Sequence, residues 1–169
     1  MSDAPLVLTL ALDEQSQLYF NNLRKQHFPP ERNYLDAHLT LFHHLPANEP
    51  QVVKEIETAC QAYSIMQLPV NGIVGIGNGV AYKVENNNLQ NMHKHLQQQW
   101  QSFLIPQDKQ KLWPHVTIQN KVAPDKARQL KEQLEQNFTP FTVTGIGLSL
   151  WEYLGGPWRF IKFYPFANS

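Results

Sequence analysis

Several things are scarce in this chain, and each scarcity narrows what it can be. Cys60 is its single cysteine, so no internal disulfide can form. Its 14 Lys and Arg balance its 14 Asp and Glu. Proteins that grip long nucleic acid through many phosphates are usually basic, so any nucleic-acid ligand here is expected to be small: a terminus, a nucleotide or a short oligomer. No long hydrophobic run exists. The stretch from Pro5 to Leu12 is too short for a signal core or a membrane span, and no basic segment precedes it. The expectation is a soluble, cytoplasmic monomer with no membrane partner. The 42% apolar content is ordinary and excludes global disorder. At 169 residues the chain is long enough for one domain, 1–169, with a real core.

What the chain does have is an echo. Leu35-Asp36-Ala37-His38-Leu39-Thr40-Leu41-Phe42 and Trp113-Pro114-His115-Val116-Thr117-Ile118-Gln119 both contain His, apolar, Thr, apolar. Side chains alternate across a strand. His38 and Thr40 therefore share one face, with Leu39 and Leu41 on the other; His115 and Thr117 stand likewise against Val116 and Ile118. With 7 His in 169 residues, random order gives an expectation of only about 0.05 such matches. Two is well above noise.

The surrounding elements repeat too. Leu6 to Leu12 reads as a buried strand. Asp13 then caps a helix whose stripe is Leu18, Tyr19 and Leu23, ending before Pro29-Pro30. After the first His/Thr strand, Pro50 opens a helix with Val52, Ile56, Cys60 and Tyr63 on one side. Cys60 on that stripe reads as core filler. Leu68–Ile76 and Val80–Val84 read as a hairpin turned at Asn78-Gly79. The second half brings a helix with Leu89, Met92, Leu96, Trp100 and Phe103. The second His/Thr strand follows, then a helix from Pro124 with Ala127, Leu130, Leu134 and Phe138 inward. Strands at 141–154 and 158–166 turn at Gly155-Gly156-Pro157. The chain thus reads as two copies, approximately 1–78 and 79–169, of strand, helix, His/Thr strand, helix, strand. Related copies pack about a pseudo-two-fold axis, which would set the two His/Thr faces opposite one another.

Two histidines and two threonines facing each other suit phosphodiester chemistry. The attacking oxygen loses a proton while the leaving oxygen gains one. Two imidazoles, each with an ordinary pKa near 6.5, supply a base and an acid, and the threonine hydroxyls offer hydrogen bonds to phosphoryl oxygens. No metal or other cofactor is required.

On these residues the sequence resembles the 2H phosphoesterase superfamily, the group of 2′-5′ RNA ligases and 2′,3′-cyclic nucleotide phosphodiesterases. The resemblance rests on His38-Leu39-Thr40-Leu41, His115-Val116-Thr117-Ile118, their 77-residue separation and the duplicated plan. It implies a bilobal α+β fold with two antiparallel sheets facing a central cleft and helices outside. It also implies that His38 and His115 are the catalytic pair and that Thr40 and Thr117 hold the phosphate. The substrate class it implies is a nucleotide or RNA terminus carrying a 2′,3′-cyclic phosphate or a 2′-5′ linkage. Better-known members often carry Arg shortly after the second motif; here Gln119-Asn120-Lys121 stands there, so the arginine contact does not carry over and Lys121 is only a candidate substitute.

Further candidates flank the motifs. His44 and Lys121 hold matching places six residues after each histidine and would add positive charge at the cleft mouth. Asp36 continues the face of His38, as an orienting group or an exposed carboxylate. His43 and His44, at a strand end, face solvent in the simplest reading. Trp151 and Tyr153 alternate against Leu148, Leu150 and Leu154; with Trp158 they either stack on a base or brace the last hairpin. The glycines at 72, 75, 77 and 79 lead into a strand rather than a helix and read as hairpin glycines. A metal site falls short of three ligands, since the motif strands add only Asp36 to the histidine pair. His93 and His95 do not share a helix face. The alternative to an enzyme is a catalytically silent protein that binds RNA ends or nucleotides in the same cleft.

Overall fold

The structure is a computed structural model describing residues 3–167. Its elements run β1 (Leu6–Leu12), α1 (Glu14–His27), β2 (Leu39–Leu45), α2 (Pro50–Ala62), β3 (Met66–Gly75), β4 (Val80–Val84), α3 (Asn87–Gln99), β5 (His115–Gln119), α4 (Pro124–Glu135), β6 (Phe141–Tyr153) and β7 (Trp158–Pro165). Short 3₁₀ turns lie at Pro30–Arg32 and Pro106–Lys109. Local chemistry sets the helix starts. Asp13 accepts from the Ser16 N–H at 2.9 Å and Asn86 from the Leu89 N–H at 2.8 Å, while proline opens α2 and α4.

The sheet order is β2-β1-β6-β3-β4-β5, with β7 on β6, and every pairing is antiparallel. Exchanging β1 with β4, β2 with β5 and β3 with β6 returns the same order read backwards, which is the pseudo-two-fold duplication expressed as hydrogen bonds. The α+β architecture is as expected, and β6 joins its two antiparallel arrays. The first part of β6, to Gly145, pairs with β3. From Gly145 on it pairs with β1, and from Gly147 also with β7. The arrays are therefore continuous through one 13-residue strand. The end strands β2 and β5 touch each other, so the sheet bends back until the motif strands meet.

The core lies between the sheet and the helices. Val52, Ile56 and Cys60 from α2 are buried, as are Leu89, Met92 and Leu96 from α3 and Ala127 and Leu130 from α4. Burial pushes the Cys60 thiol up to about 11, consistent with an inert core residue. One stripe differs from expectation. On α1, Leu18 and Tyr19 are 58% and 44% exposed, and the buried residues are Ser16, Phe20 and Arg24. Hydrophobicity misleads there because the arginine is buried with hydrogen-bond partners, which offset part of its desolvation. The β3–β4 turn is one residue earlier than expected: with Gly75 opposite Val80, its two central residues are Gly77-Asn78 rather than Asn78-Gly79. The Ile76 N–H donates to the Gly79 carbonyl at 3.0 Å, and Gly77, with φ of 89°, takes the left-handed conformation. Gly79 is needed for close approach: a Cβ there would lie 1.8 Å from the Gln119 carbonyl oxygen.

Candidate active site

Both motif strands carry a bulge at the same place. Against β1, Thr40 pairs with Thr9 and Phe42 with Leu8, leaving Leu41 extra. Against β4, Thr117 pairs with Ala81 and Gln119 with Val80, leaving Ile118 extra. Before the bulge the alternation holds. Leu39, Leu41, Val116 and Ile118 are buried, while His38, Thr40, His115 and Thr117 are half-buried on the opposite face.

The two imidazoles are held in the same way. His38 Nδ1 lies 2.8 Å from the Asp36 carbonyl, and His115 Nδ1 lies 2.7 Å from the Trp113 carbonyl. A carbonyl oxygen can only accept, so each Nδ1 carries the proton and each Nε2 is the nitrogen left for a ligand. Burial lowers both pKa values. His38 falls to about 4; the Asp36 carbonyl opposes the shift, and Arg24, His115 and His43 add to it. His115 is lowered by burial and by His43, against its bond to Trp113. Each ring also meets a tryptophan. Trp113 stacks on His115 at 4.0 Å between centroids, and Trp158 lies 4.6 Å from His38.

Beside His38 opens a concavity of about 500 Å³. Trp151, Trp158, Tyr34 and Phe163 give it aromatic walls, and Thr9 and Ser149 give it polar ones. The Trp151 Nε1–H donates to Thr9 Oγ1 at 3.0 Å, which fixes the orientation of the indole. Trp151 also packs on Phe160 at 5.3 Å and on Trp158 at 5.9 Å. Trp151 and Trp158 thus serve both as hairpin brace and as pocket wall.

Behind the site, Arg24 ties the motifs together. Its Nε donates to Asn33 Oδ1 at 2.7 Å and to the Leu35 carbonyl at 2.9 Å, and its Nη1 donates to the Thr117 carbonyl at 3.3 Å. The guanidinium sits 3.9 Å above the Phe28 ring. Burial lowers its pKa to about 10, against the pull of Asp36, so it stays charged at neutral pH.

A profile of the 2′-5′ RNA ligase superfamily matches residues 12–157. The chain belongs to that superfamily, the 2H phosphoesterases. Solved structures share the superfamily fold. TT0787 of Thermus thermophilus superposes with a TM-score of 0.69 at 14% identity, covering 98% of this chain and 99% of that one. The LigT protein of E. coli complexed with 3′-AMP superposes at 0.60 with 15% identity and the same coverage. LigT has also been crystallised with phosphate, at a TM-score of 0.57. At these identities the likeness is one of fold. No curated protein matches the sequence.

The remaining expected residues of this superfamily member are not all brought to one place. Lys121 is exposed, has φ of 64°, and lines a separate concavity with Lys25, His27 and Lys126, away from the His38 pocket. Tyr153 is 41% exposed and does not line the aromatic pocket. His44 is exposed, and the histidine that acts electrostatically on both motif rings is its neighbour, His43. Asp36 contributes its backbone carbonyl rather than its exposed carboxylate.

Trp113 and Arg24 carry no assignment from the sequence, and His43 carries only that of a solvent-facing strand end. A signal existed for two of them. Arg24 continues the i, i+4 ladder Ser16, Phe20, and the adjacent apolar pair Leu41-Phe42 breaks strict alternation, which marks a bulge that returns His43 to the face of Thr40.

Proposed function

We propose that this chain is a metal-independent phosphoesterase that opens 2′,3′-cyclic phosphates, or acts on 2′-5′ linkages, at a nucleotide or RNA end. His38 and His115 are its acid–base pair, and Thr40 and Thr117 hydrogen-bond the phosphoryl oxygens. The observation that carries this reading is the matched lock on the two rings: both Nδ1–H groups are committed to carbonyls two residues upstream. One Nε2 takes the proton of the attacking oxygen, from water or a hydroxyl. That oxygen bonds to phosphorus as the P–O bond to the leaving ribose oxygen breaks, and the other Nε2–H gives the leaving oxygen its proton. The aromatic pocket beside His38 takes the adjoining base by stacking. The 3′-AMP and phosphate held by LigT support a ligand of this class.

The test is to incubate the purified protein with EDTA and an RNA ending in a 2′,3′-cyclic phosphate, then identify the product isomer. Ring opening to a single monophosphate isomer is expected. Binding without turnover would replace this reading with that of a silent RNA-end or nucleotide-binding protein.

A further inference from the structure

Asp108 is a buried charge that the chemistry above leaves unused. It is 2% exposed, in the turn Pro106–Lys109. Its carboxylate accepts from the His43 backbone N–H at 2.8 Å (Oδ1) and 3.0 Å (Oδ2). It also accepts from the His44 N–H at 2.9 Å and from His43 Nδ1 at 3.0 Å. Both N–H groups lie where β2 shifts register a second time, between Phe42 and Leu45. The carbonyl of the extra residue, Leu41, is taken up as well, by His93 Nε2 at 2.9 Å. The ring of His93 stacks on Phe42 at 4.5 Å. The second half of the chain therefore clamps the β2 bulge on both its donor and acceptor sides, and that clamp fixes His43.

We propose that His43 is a third imidazole of the cleft, oriented by Asp108, whose Nε2–H binds an anionic oxygen of the substrate phosphate. The proposal rests on the two-histidine reading for where that phosphate lies. Three observations carry it. The bulge returns the chain to the face of Thr40: Leu41 and Phe42 are both buried, and the His43 side chain is 46% exposed. A carboxylate accepts only, so Asp108 holds the Nδ1–H and directs Nε2 away from itself. A phosphate oxygen opposite Nε2 would then set the ring between two anionic acceptors, the arrangement in which it donates from both nitrogens. The neighbouring titratable groups are Asp108, His93 from α3, and His38 and His115, whose pKa values His43 also lowers. Burial would raise the Asp108 pKa, but the ring and backbone bonds from His43 and His44 outweigh it and hold the carboxyl below the usual range. His43 is a binding and positioning residue in this scheme and moves no proton of the reaction.

The experiment titrates a nucleoside 3′-monophosphate and the parent nucleoside into wild type, His43→Phe and His43→Gln, and measures kcat and KM on a 2′,3′-cyclic phosphate. His43→Phe keeps a planar ring but no donor, and it should weaken the monophosphate by about 10–150-fold, the loss of a charge-assisted hydrogen bond, while leaving the nucleoside unchanged. KM should rise with kcat held within a few-fold, and His43→Gln should recover part of the loss. Asp108→Asn should reproduce His43→Phe where it folds; the exposed His43 variants carry the test where it does not. Unchanged monophosphate binding in His43→Phe would overturn the proposal, as would equal weakening of the nucleoside, which would make the ring a base stacker. Wild type that does not prefer the monophosphate to the nucleoside also overturns it. Phosphate-dependent binding lost in His43→Phe in a protein without turnover would instead sink the catalytic reading and leave His43 in place.

Discussion

The guanidinium of Arg24 reaches the carbonyl oxygen of Thr117 at 3.3 Å, across 93 residues of sequence. Its other bonds hold Asn33 and Leu35, in the loop that leads to His38. One buried cation on α1 thus sets the spacing between the two motifs. Arg24→Met should remove a donor from two part-buried carbonyls and lower stability by about 1–3 kcal/mol, read as a fall in the urea midpoint. Arg24→Lys should not rescue it, because an ammonium cannot reproduce the planar fork across three acceptors. Full stability in Arg24→Met would show that the spacing is fixed elsewhere.

Removing either motif histidine should cost on the order of 10²–10⁴-fold in rate. The double variant should be little worse than the worse single one, because groups acting as a unit are not additive. Thr40→Val and Thr117→Val should each cost roughly 10–150-fold, the loss of one hydrogen bond to a charged oxygen. All four side chains lie off the core face, so circular dichroism should stay native. A His38→Ala variant with full activity would end the acid–base scheme.

The pH profile of kcat/KM should be a bell displaced to the acid side of 6.5. That parameter reports the free protein, and there burial lowers both imidazoles, His38 from 6.5 to about 4. A bound phosphate restores charge to the acid, so the kcat bell should lie to the alkaline side of the kcat/KM bell. Stability follows the same pKa values. Between pH 6.5 and 4 the unfolded chain binds a proton at His38 that the folded chain does not. Stability is therefore greatest above 6.5 and falls as pH drops toward 4, and His38→Gln should shallow that slope in pH-resolved thermal melts. A kcat/KM profile that is flat from pH 5 to 8 would contradict the scheme.

Trp158 meets both His38 and the aromatic pocket. Trp158→Ala should weaken nucleotide binding by the cost of one stack, about 1–3 kcal/mol, and weaken inorganic phosphate much less. Tyr153→Ala, outside the pocket, should leave both nearly unchanged. Calorimetric titration of the two ligands separates these outcomes, and equal losses of nucleotide and phosphate in Trp158→Ala would mean that the indole serves to place His38 instead.

How much of this was legible beforehand can be read from individual residues. Strand periodicity placed His38 and Thr40 opposite Leu39, and His115 and Thr117 opposite Val116, because alternation is a local property that needs no partner strand. The duplicated order of elements gave the pseudo-two-fold for the same reason: each helix start and each apolar run is written within a few residues. The α1 stripe misled, since a buried arginine is tolerated only where distant acceptors exist, and Leu35 and Thr117 are not visible from the helix. Lys121 and His44 were placed by analogy of spacing, which a bulge and a left-handed residue override.

The sequence by itself therefore determined the elements, the faces of the motif strands and the pairing of two like halves. These depend on side-chain alternation, capping and hydrophobic period, all of short range. Only the tertiary structure decided that β6 would join the two arrays and that β2 and β5 would touch. It alone decided that Arg24 would bridge the motifs, that Trp158 rather than Tyr153 would meet His38, and that Asp108 would hold His43. Each of those is a hydrogen bond or packing contact between residues far apart in the chain. Such contacts exist only when the folded backbone brings a donor to an acceptor, and no local pattern encodes the distance between them.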